Sequence, residues 1–203
     1  MKIKFLATAL ALLLTLPVLG SCGKQDPNAP DGFQTASNNK MEYALFVPNS
    51  WIVDTDENSM MLSARASEYI STNISMIAYS GEDYEVKKDE NGKDVSPVPE
   101  YWNDYKKDLE KIFDTDKEGK STFSLNEDAS GKTTLVGDDG RKKPATGYTY
   151  VYSGTLGGVE LQYMQVIIYQ KNTFYLFTYT SIPDQYEKYL EDVEDILSYI
   201  ELP

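Results

Sequence analysis

The sequence predicts an α+β fold, in which helices pack on the faces of a twisted antiparallel sheet. Short strand patterns lie on both sides of an amphipathic helix, and a second amphipathic helix ends the chain. The last two predicted strands are apolar on both sides, which is typical of strands in the middle of a covered sheet. Because packed helices or similar segments must supply that cover, we predict a layer on each face.

The start of the chain is typical of a secretory signal peptide. Lys2 and Lys4 precede an apolar run from Phe5 to Leu19. This run is too short to cross a bilayer, since a spanning helix needs about 20 apolar residues. A basic start, an apolar centre and small residues before the cleavage point are the three parts of a secretory signal. We therefore predict that residues 1–21 are removed.

The segment Leu19-Gly20-Ser21-Cys22 ends this signal and contains the only cysteine in the chain. It resembles the lipobox of bacterial lipoproteins, in which a branched apolar residue and two small residues precede a cysteine. The resemblance implies that Cys22 carries a diacylglyceryl group and becomes the new N-terminus. We expect a lipid-anchored protein on the extracytoplasmic side of the cell membrane. The alternative is an ordinary signal peptide with a cysteine nearby.

The chain is strongly acidic, with 19 Lys and Arg against 32 Asp and Glu and a formal net charge of −13. Removal of Lys2 and Lys4 with the signal would change the net charge to −15. Such a charge disfavours nucleic-acid binding, and anionic lipid head groups would repel it. We therefore predict no nucleic-acid partner, and we expect the lipid on Cys22 to supply the membrane attachment.

Residues 22–40 are predicted to be a flexible tether that begins at the lipidated cysteine. Phe33 is the one bulky apolar residue among them, so this segment cannot bury a core of its own. Its r.m.s. reach as a flexible chain is about 20–25 Å. The remaining residues, 41–203, are enough for one domain with a sizeable core.

The first half of this domain contains four predicted strands, a long polar loop and a helix. The strands cover Met41–Val47, Trp51–Val53, Met60–Ala64 and Asn73–Tyr79, and the loop runs from Gly81 to Ser96. Ser96-Pro97 is expected to open the helix, with serine as the N-cap and proline in the first turn. Its apolar face has helical spacing and comprises Trp102, Tyr105, Leu109, Ile112 and Phe113.

The second half begins with short strand patterns and ends in a hairpin. The patterns cover Thr122–Leu125, Thr133–Val136 and Thr146–Tyr152, with turns predicted at Gly131 and at Asp138-Asp139-Gly140. The final strands, Val159–Gln170 and Thr173–Thr180, flank Lys171-Asn172. This dipeptide is typical of a hairpin turn.

The closing helix is predicted from its caps and its apolar stripe. Ser181 and Asp184 fit a capping box, and Pro183 lies in the first turn. The apolar stripe runs from Tyr186 to Ile200. Four acidic residues lie outside this stripe and are interpreted as a solvated face: Glu187, Glu191, Glu194 and Asp195.

The order of these elements resembles the PsbP-like family, including its bacterial DcrB relatives. The resemblance covers residues 41–202 and rests on Phe46-Val47-Pro48 with Trp51 just after it, and on a strand that opens with Asn73-Ile74-Ser75-Met76. A last hairpin that runs into an amphipathic helix completes it. The resemblance implies a sheet sandwiched by helices and a non-enzymatic binding or accessory role at a membrane. No site motif matches position by position, so no site residue is carried over.

The chain has no histidine, which excludes Ser-His-Asp sites, Cys-His sites and His-ligated zinc. We therefore predict a non-catalytic lipoprotein that binds a protein or a small ligand and uses no cofactor. One alternative is a hydrolase that uses carboxylates, because two carboxylates that meet only in space leave no spacing in the sequence. Another is a support subunit of an envelope transporter or cell-wall complex.

Calcium is the one metal for which the sequence offers a candidate site, because its oxygen ligands need no histidine. Asp114, Asp116 and Glu118 have the spacing of the first three ligands of a calcium loop, and Gly119 has the place of the loop glycine. Leu125 stands where the loop needs its bidentate glutamate. We interpret the segment as a solvated turn and these three residues as weak calcium candidates.

Two further patterns have structural interpretations. Gly131-Lys132-Thr133 is similar to the end of a phosphate-binding loop, but Asn126 stands where that motif needs a glycine. We interpret it as a hairpin turn. Tyr148, Tyr150 and Tyr152 alternate along one predicted strand. For them we predict an amphipathic layer under a helix in preference to an aromatic ligand surface.

Overall fold

The computed structural model of the protein describes residues 29–54, 59–66, 71–135 and 145–203. The predicted signal peptide, Cys22 and the predicted turn at Asp138-Asp139-Gly140 lie outside these residues. Within the described part of the chain, no helix has the length and apolar character that a bilayer span requires.

Eleven strands, three α-helices and one short 3-10 helix make up the described fold. The strands are β1 Phe33–Ala36, β2 Leu45–Pro48, β3 Trp51–Asp54, β4 Met61–Ala66, β5 Asn73–Ser80, β6 Lys87–Lys88, β7 Asp94–Val95, β8 Ser124–Leu135, β9 Ala145–Leu156, β10 Val159–Gln170 and β11 Thr173–Ser181. The helices are α1 Val98–Ile112, α2 Pro183–Tyr186, the 3-10 helix Glu187–Tyr189 and α3 Leu190–Ser198.

Seven strands form one antiparallel sheet in the order β3-β4-β5-β11-β10-β9-β8. Strands β1 and β2 form a second, two-stranded antiparallel sheet, and β6 pairs with β7 inside the predicted long loop. Helix α1 packs on one face of the large sheet, and α3 packs on the other together with β2. The predicted α+β fold, with an antiparallel sheet between helical layers, is confirmed.

The hairpin of β10 and β11 forms the centre of the sheet. Lys171 and Asn172 have φ angles of +49° and +60°, the positive values that a tight hairpin turn requires. Every residue of β11 from Phe174 to Ser181 is buried. In β10, Tyr163 and Ile167 contact the core under α1, whereas Val166 contacts the core under α3. The two-sided apolar pattern therefore predicted correctly that both faces are covered.

The core under α1 is mainly aromatic and tightly closed. The indole of Trp102 stacks on the Tyr150 ring with centroids 3.9 Å apart, and the Tyr152 and Tyr163 rings stack at 4.9 Å. At Gly154 there is no room for a side chain, because an added Cβ would lie 2.6 Å from Cδ1 of Phe113. The predicted tyrosine layer under a helix is therefore confirmed for Tyr150 and Tyr152, which are both buried.

The core under α3 is mainly aliphatic. Ile74 and Met76 of β5, Val166 of β10, and Val193 and Ile196 of α3 are each at most 1% exposed. Trp51 of β3 links the edge of the sheet to the closing helices, because its indole N–H donates a hydrogen bond to Oδ2 of Asp192 at 2.9 Å. This layer covers the middle of the sheet, and it leaves the β8 end open.

The tether prediction for residues 22–40 is wrong over residues 33–36, which form β1. This strand pairs with β2, and Ala36 is fully buried. The Phe33 ring contacts Tyr199 edge to face with centroids 5.2 Å apart. Backbone pairing, this aromatic contact and a hydrogen bond from the Gln34 side-chain amide to the Trp51 carbonyl at 2.7 Å hold a segment whose polar composition indicated a free chain. The folded body therefore begins before residue 41.

The predicted turn at Gly131 is also wrong, because β8 continues through it. Asn126 pairs with Val151 and Gly131 pairs with Thr149, so four residues of β8, 127–130, bulge opposite a single residue of β9. The two strand-like stretches on either side of Gly131 are thus the two ends of one irregular edge strand.

Both predicted helix caps differ from the structure. Pro97 occupies the N-cap position of α1, and the Ser96 hydroxyl accepts a hydrogen bond from the Val98 N–H at 3.3 Å. Ile182 precedes α2 where the capping box was expected. The Ser181 hydroxyl instead lies 2.9 Å from Oγ1 of Thr72 in the buried core. A tertiary hydrogen bond has replaced the local one.

Candidate functional site

A cleft of about 500 Å³ opens between β8 and α3 at the uncovered end of the sheet. Its floor comes from β8, β9 and β10, one wall is the bulge of β8, and the other wall is α3. The residues that line it are 128–135, Thr149, Met164, Val166, Glu194, Leu197 and Ser198.

Small residues on the outer strands leave the cleft open. Gly131 lies on its floor, and a Cβ placed there would meet no atom within 4 Å. Thr133 and Thr149 are only partly buried, although they point to the face on which α3 packs. The aliphatic core therefore stops short of the sheet edge.

The bulge of β8 is held in place by its own side chains. The amide oxygen of Asn126 accepts a hydrogen bond from the Ala129 N–H at 3.2 Å, and the Ser130 hydroxyl donates to the Asn126 carbonyl at 2.6 Å. The same hydroxyl accepts from the Val151 N–H at 3.0 Å, in place of a backbone partner. These bonds give the cleft a built wall, and they interrupt the edge strand, as bulges at sheet edges commonly do.

The inner end of the cleft is apolar and the outer part is polar. Met164 and Leu197 are each 8% exposed, and Leu135 packs against them from β8. Asp128 and Glu194 are exposed and stand on opposite walls. An apolar floor with polar groups at its rim is the general character of a binding cleft.

Acidic groups predominate on the outer face of α3. Glu187 and Glu191 are four residues apart, as are Glu191 and Asp195, so like charges lie next to each other on the helix surface. The last turn of α3 contains no basic residue. Residues 187–198 contain five acids and one base, Lys188, which lies three residues before Glu191.

The acids of α1 are arranged differently, because lysines pair with three of them. Three short contacts join them: Lys87 to Glu100 at 2.7 Å, Lys107 to Asp104 at 3.0 Å and Lys111 to Asp108 at 2.7 Å. The two sides of the molecule thus differ in charge balance, and the side that contains the cleft is the unbalanced one.

Tyrosines under α1 are the groups with the most strongly shifted pKa values. Burial raises the pKa of Tyr105 to about 12, and burial raises the pKa of Tyr101 and Tyr152 further. The Tyr101 and Tyr152 hydroxyls and Oε1 of Gln165 are buried without a hydrogen-bond partner among the described residues. These groups lie in the closed core and do not reach the cleft, so we assign them to stability.

The three calcium candidates make separate contacts. Asp114 Oδ2 accepts a hydrogen bond from the Gly158 N–H at 2.8 Å, and Asp116 Oδ1 accepts from the backbone amides of Glu118 and Lys120. Glu118 forms an ion pair with Lys120 at 2.8 Å. Across residues 29–54, 59–66, 71–135 and 145–203, no three acidic side chains converge on one point where a metal ion could bind.

Sequence reasoning did not find the cleft, because its residues come from four separate elements. Gly131-Lys132-Thr133, which is similar in sequence to the end of a phosphate-binding loop, lies within strand β8 on the cleft floor. Two signals pointed towards this region. One is the break in the pattern of β8 between Asn126 and Gly131, and the other is the acidic row of the closing helix.

Comparisons with known proteins show the fold of this chain. No family model matches it, and no curated protein is similar to it. The solved structure of CyanoP, the PsbP of the cyanobacterium Synechocystis sp. PCC 6803, is 13% identical, with 90% of this chain and 99% of that chain covered and a TM-score of 0.55.

Two further solved structures are more distant. The Ran-binding protein Mog1p of Saccharomyces cerevisiae is 9% identical over 83% of this chain and 94% of its own, with a TM-score of 0.49. LpqN of Mycobacterium tuberculosis, described as involved in cell envelope biogenesis, is 12% identical over 86% and 80%, with a TM-score of 0.37. The likeness to CyanoP carries the conclusion that this protein has a PsbP-like fold.

Proposed function

We propose that the protein is a lipid-anchored, extracytoplasmic accessory protein that binds a partner protein through the cleft between β8 and α3. The cleft is the observation that carries the proposal. It combines an apolar floor with hydroxyl groups and charges at its rim, and its bulged wall is fixed by hydrogen bonds. A preformed surface of this kind gives up little conformational entropy when it binds.

The same geometry favours binding over catalysis. Asp128 and Glu194 are the two carboxylates that line the cleft, and both are exposed to solvent. The acid of a glycosidase pair is instead held in an apolar site that keeps it protonated. The other lining groups are hydroxyls, aliphatic side chains and Lys132, which suit contact with a ligand.

The position of β1 supports a role close to the membrane. Ten residues separate Cys22 from Phe33, and a chain of that length spans at most about 35 Å when fully extended. Phe33 packs on Tyr199, the residue that directly follows Ser198 of the cleft wall. A lipid on Cys22 would therefore hold the cleft within reach of proteins embedded in the membrane.

Site-specific photo-crosslinking in cells tests the proposal. A benzophenone amino acid at Thr133 places the probe in the cleft, and the same residue at Glu110 places it on the exposed side of α1 as a control. We expect one defined crosslinked partner from position 133 and none from 110. Equal products from both positions would count against the cleft as the binding surface.

Filling the cleft and removing the anchor separate the two parts of the proposal. Thr149→Trp should abolish the crosslink, whereas Ser153→Trp, four residues further along the same face of β9 and outside the lining, should leave it. Cys22→Ala should move the protein from the membrane to the soluble fraction. Retention of the Cys22→Ala variant in the membrane would contradict the lipid anchor. It would not affect the conclusion drawn from the crosslink at position 133.

A further inference from the structure

We propose that the partner contributes a basic, partly apolar segment. Its lysine or arginine side chains lie along the carboxylates of Asp128, Glu194 and the outer face of α3, while an aliphatic side chain enters the cleft. This inference rests on the proposed binding function and gives the chemical class of the partner.

The charge of the α3 side is the first argument. Glu191, Glu194 and Asp195 repel one another at helical spacing, and the negative end of the helix dipole lies beside Asp195. Such an arrangement of like charges lowers the stability of the helix. Natural proteins commonly accept unfavourable arrangements of this kind at functional sites. A cationic segment would remove the repulsion on binding.

The α1 side shows that the chain has the means to neutralise its acids. Lys107 and Lys111 each follow an aspartate by three residues on α1 and pair with it. On α3 the residues three positions after an acid are not basic, since Glu194 follows Glu191 and Leu197 follows Glu194. No lysine or arginine therefore follows the acids of α3 as Lys107 and Lys111 follow those of α1.

The apolar floor is the second argument. The inner end of the cleft is lined by four apolar residues, Leu135, Met164, Val166 and Leu197. The carboxylates of Asp128 and Glu194 line the walls of the same cleft. Lysine and arginine combine an aliphatic stem with a charged tip, so a basic segment matches both halves of the cleft.

Charge also decides between this occupant and a second copy of the chain. A second copy would bring its own acidic row to the same surface, and like charges placed opposite each other disfavour the contact. A basic partner is attracted instead, because the formal net charge of −13 steers cations towards the protein.

Fluorescence anisotropy with labelled peptides tests the inference on the full chain. The probe is a short peptide of alternating arginine and leucine, and the matched peptides replace arginine by glutamate or leucine by serine. We expect binding of the arginine-leucine peptide alone at moderate salt, with an affinity that falls as ionic strength rises.

Charge-matched variants locate the contact. Asp128→Asn with Glu194→Gln should weaken binding about tenfold and flatten its salt dependence. Asp104→Asn with Asp108→Asn removes the same charge from α1 and should change the affinity less than about twofold. Circular dichroism of both variants checks that they remain folded.

Three results would overturn the inference. The first is that the glutamate-leucine peptide binds as tightly as the arginine-leucine peptide. The second is that the two charge-matched variants lose peptide affinity to the same extent. The third is that the protein self-associates and that Thr149→Trp abolishes this self-association. The proposed function fails separately, because it depends on crosslinking at position 133. A crosslinked partner whose capture survives neutralisation of Asp128 and Glu194 would support the cleft and contradict the basic segment.

Discussion

The two faces of the sheet differ in how completely their cores fill the space between the sheet and its helix. Under α1, stacked rings such as Trp102 and Tyr150 fill the space, and the acids above them pair with lysines. Under α3, an aliphatic core stops before β8 and leaves the cleft, while residues 187–198 above it contain five acids and one base.

This difference indicates a division of labour between the faces. A closed aromatic layer with neutralised charge is what stability alone would favour. An open cleft beside like charges is unfavourable unless a ligand compensates for it, and natural proteins accept such costs at functional sites. Substitutions on the α1 face should therefore mainly lower the free energy of unfolding, whereas substitutions on the α3 face should mainly lower the affinity for the partner.

High pH should have the largest effect, because both cores contain buried tyrosines. Burial raises the pKa of Tyr105, Tyr150 and Tyr179 to about 12, above the ordinary value of about 10. Since the folded pKa values are raised, this stability is fully present below pH 10 and is lost as the pH rises towards 12. Circular dichroism against pH should show unfolding in that window.

The tyrosines under α1 should dominate this alkaline transition. Tyr152 is fully buried among other tyrosines, and burial raises its pKa well above 10, whereas Tyr175 lies on the α3 side. Tyr152→Phe should therefore raise the alkaline midpoint more than Tyr175→Phe does. A larger shift from Tyr175→Phe would contradict the difference between the faces.

Core truncation should have the next largest effect and should differ between the faces. Trp102→Ala removes a ring that is 4% exposed and stacked on Tyr150, and we expect a loss of about 3–5 kcal/mol in the free energy of unfolding. Leu197→Ala, at the cleft, should cost about 2 kcal/mol, because water can enter the space. Urea titration of both variants measures the difference, and equal losses would argue that α3 is packed as closely as α1.

Truncation of Phe33 should have a smaller effect. Its ring is half-buried and contacts Tyr199, so Phe33→Ala should lower the free energy of unfolding by about 1–2 kcal/mol. Gln25→Ala, in the part of the predicted tether before β1, is the control and should leave stability unchanged. If Phe33→Ala leaves the free energy of unfolding unchanged, the result would support the predicted tether of residues 22–40.

Removal of surface charge should have the smallest effect, with opposite signs on the two faces. Glu191→Gln with Asp195→Asn removes a like-charge pair and should stabilise the protein by about 0.2–0.5 kcal/mol. Asp104→Asn with Asp108→Asn breaks two ion pairs and should destabilise it by up to about 1 kcal/mol. Thermal unfolding at low salt measures both changes, and the same sign on both faces would contradict the comparison.

The sequence predicted the centre of the fold well, because local signals and packing agree there. The turn at Lys171-Asn172 and the two-sided apolar strands around it specify a covered central hairpin. The aromatic spacing of α1 places Trp102, Leu109 and Phe113 on one buried face. In each case, residues close in the sequence decide the outcome.

The edges of the fold were not predictable in the same way, because distant contacts decide them. Phe33 gains its place from Tyr199 at the other end of the chain. The Ser181 hydroxyl binds Thr72 and not the helix that follows it. The bulge of β8 depends on the contact of Ser130 with Val151. The cleft likewise depends on contacts between residues that are distant in the sequence, so no local motif predicts it.

Parallel measurement of stability and peptide affinity for Asp128→Asn with Glu194→Gln tests the central claim most directly. If the α3 side keeps its acids for binding, this variant will unfold at the same or a higher urea concentration and bind the arginine-leucine peptide about tenfold more weakly. A variant that loses stability and binds the peptide as tightly as the natural chain would contradict the account.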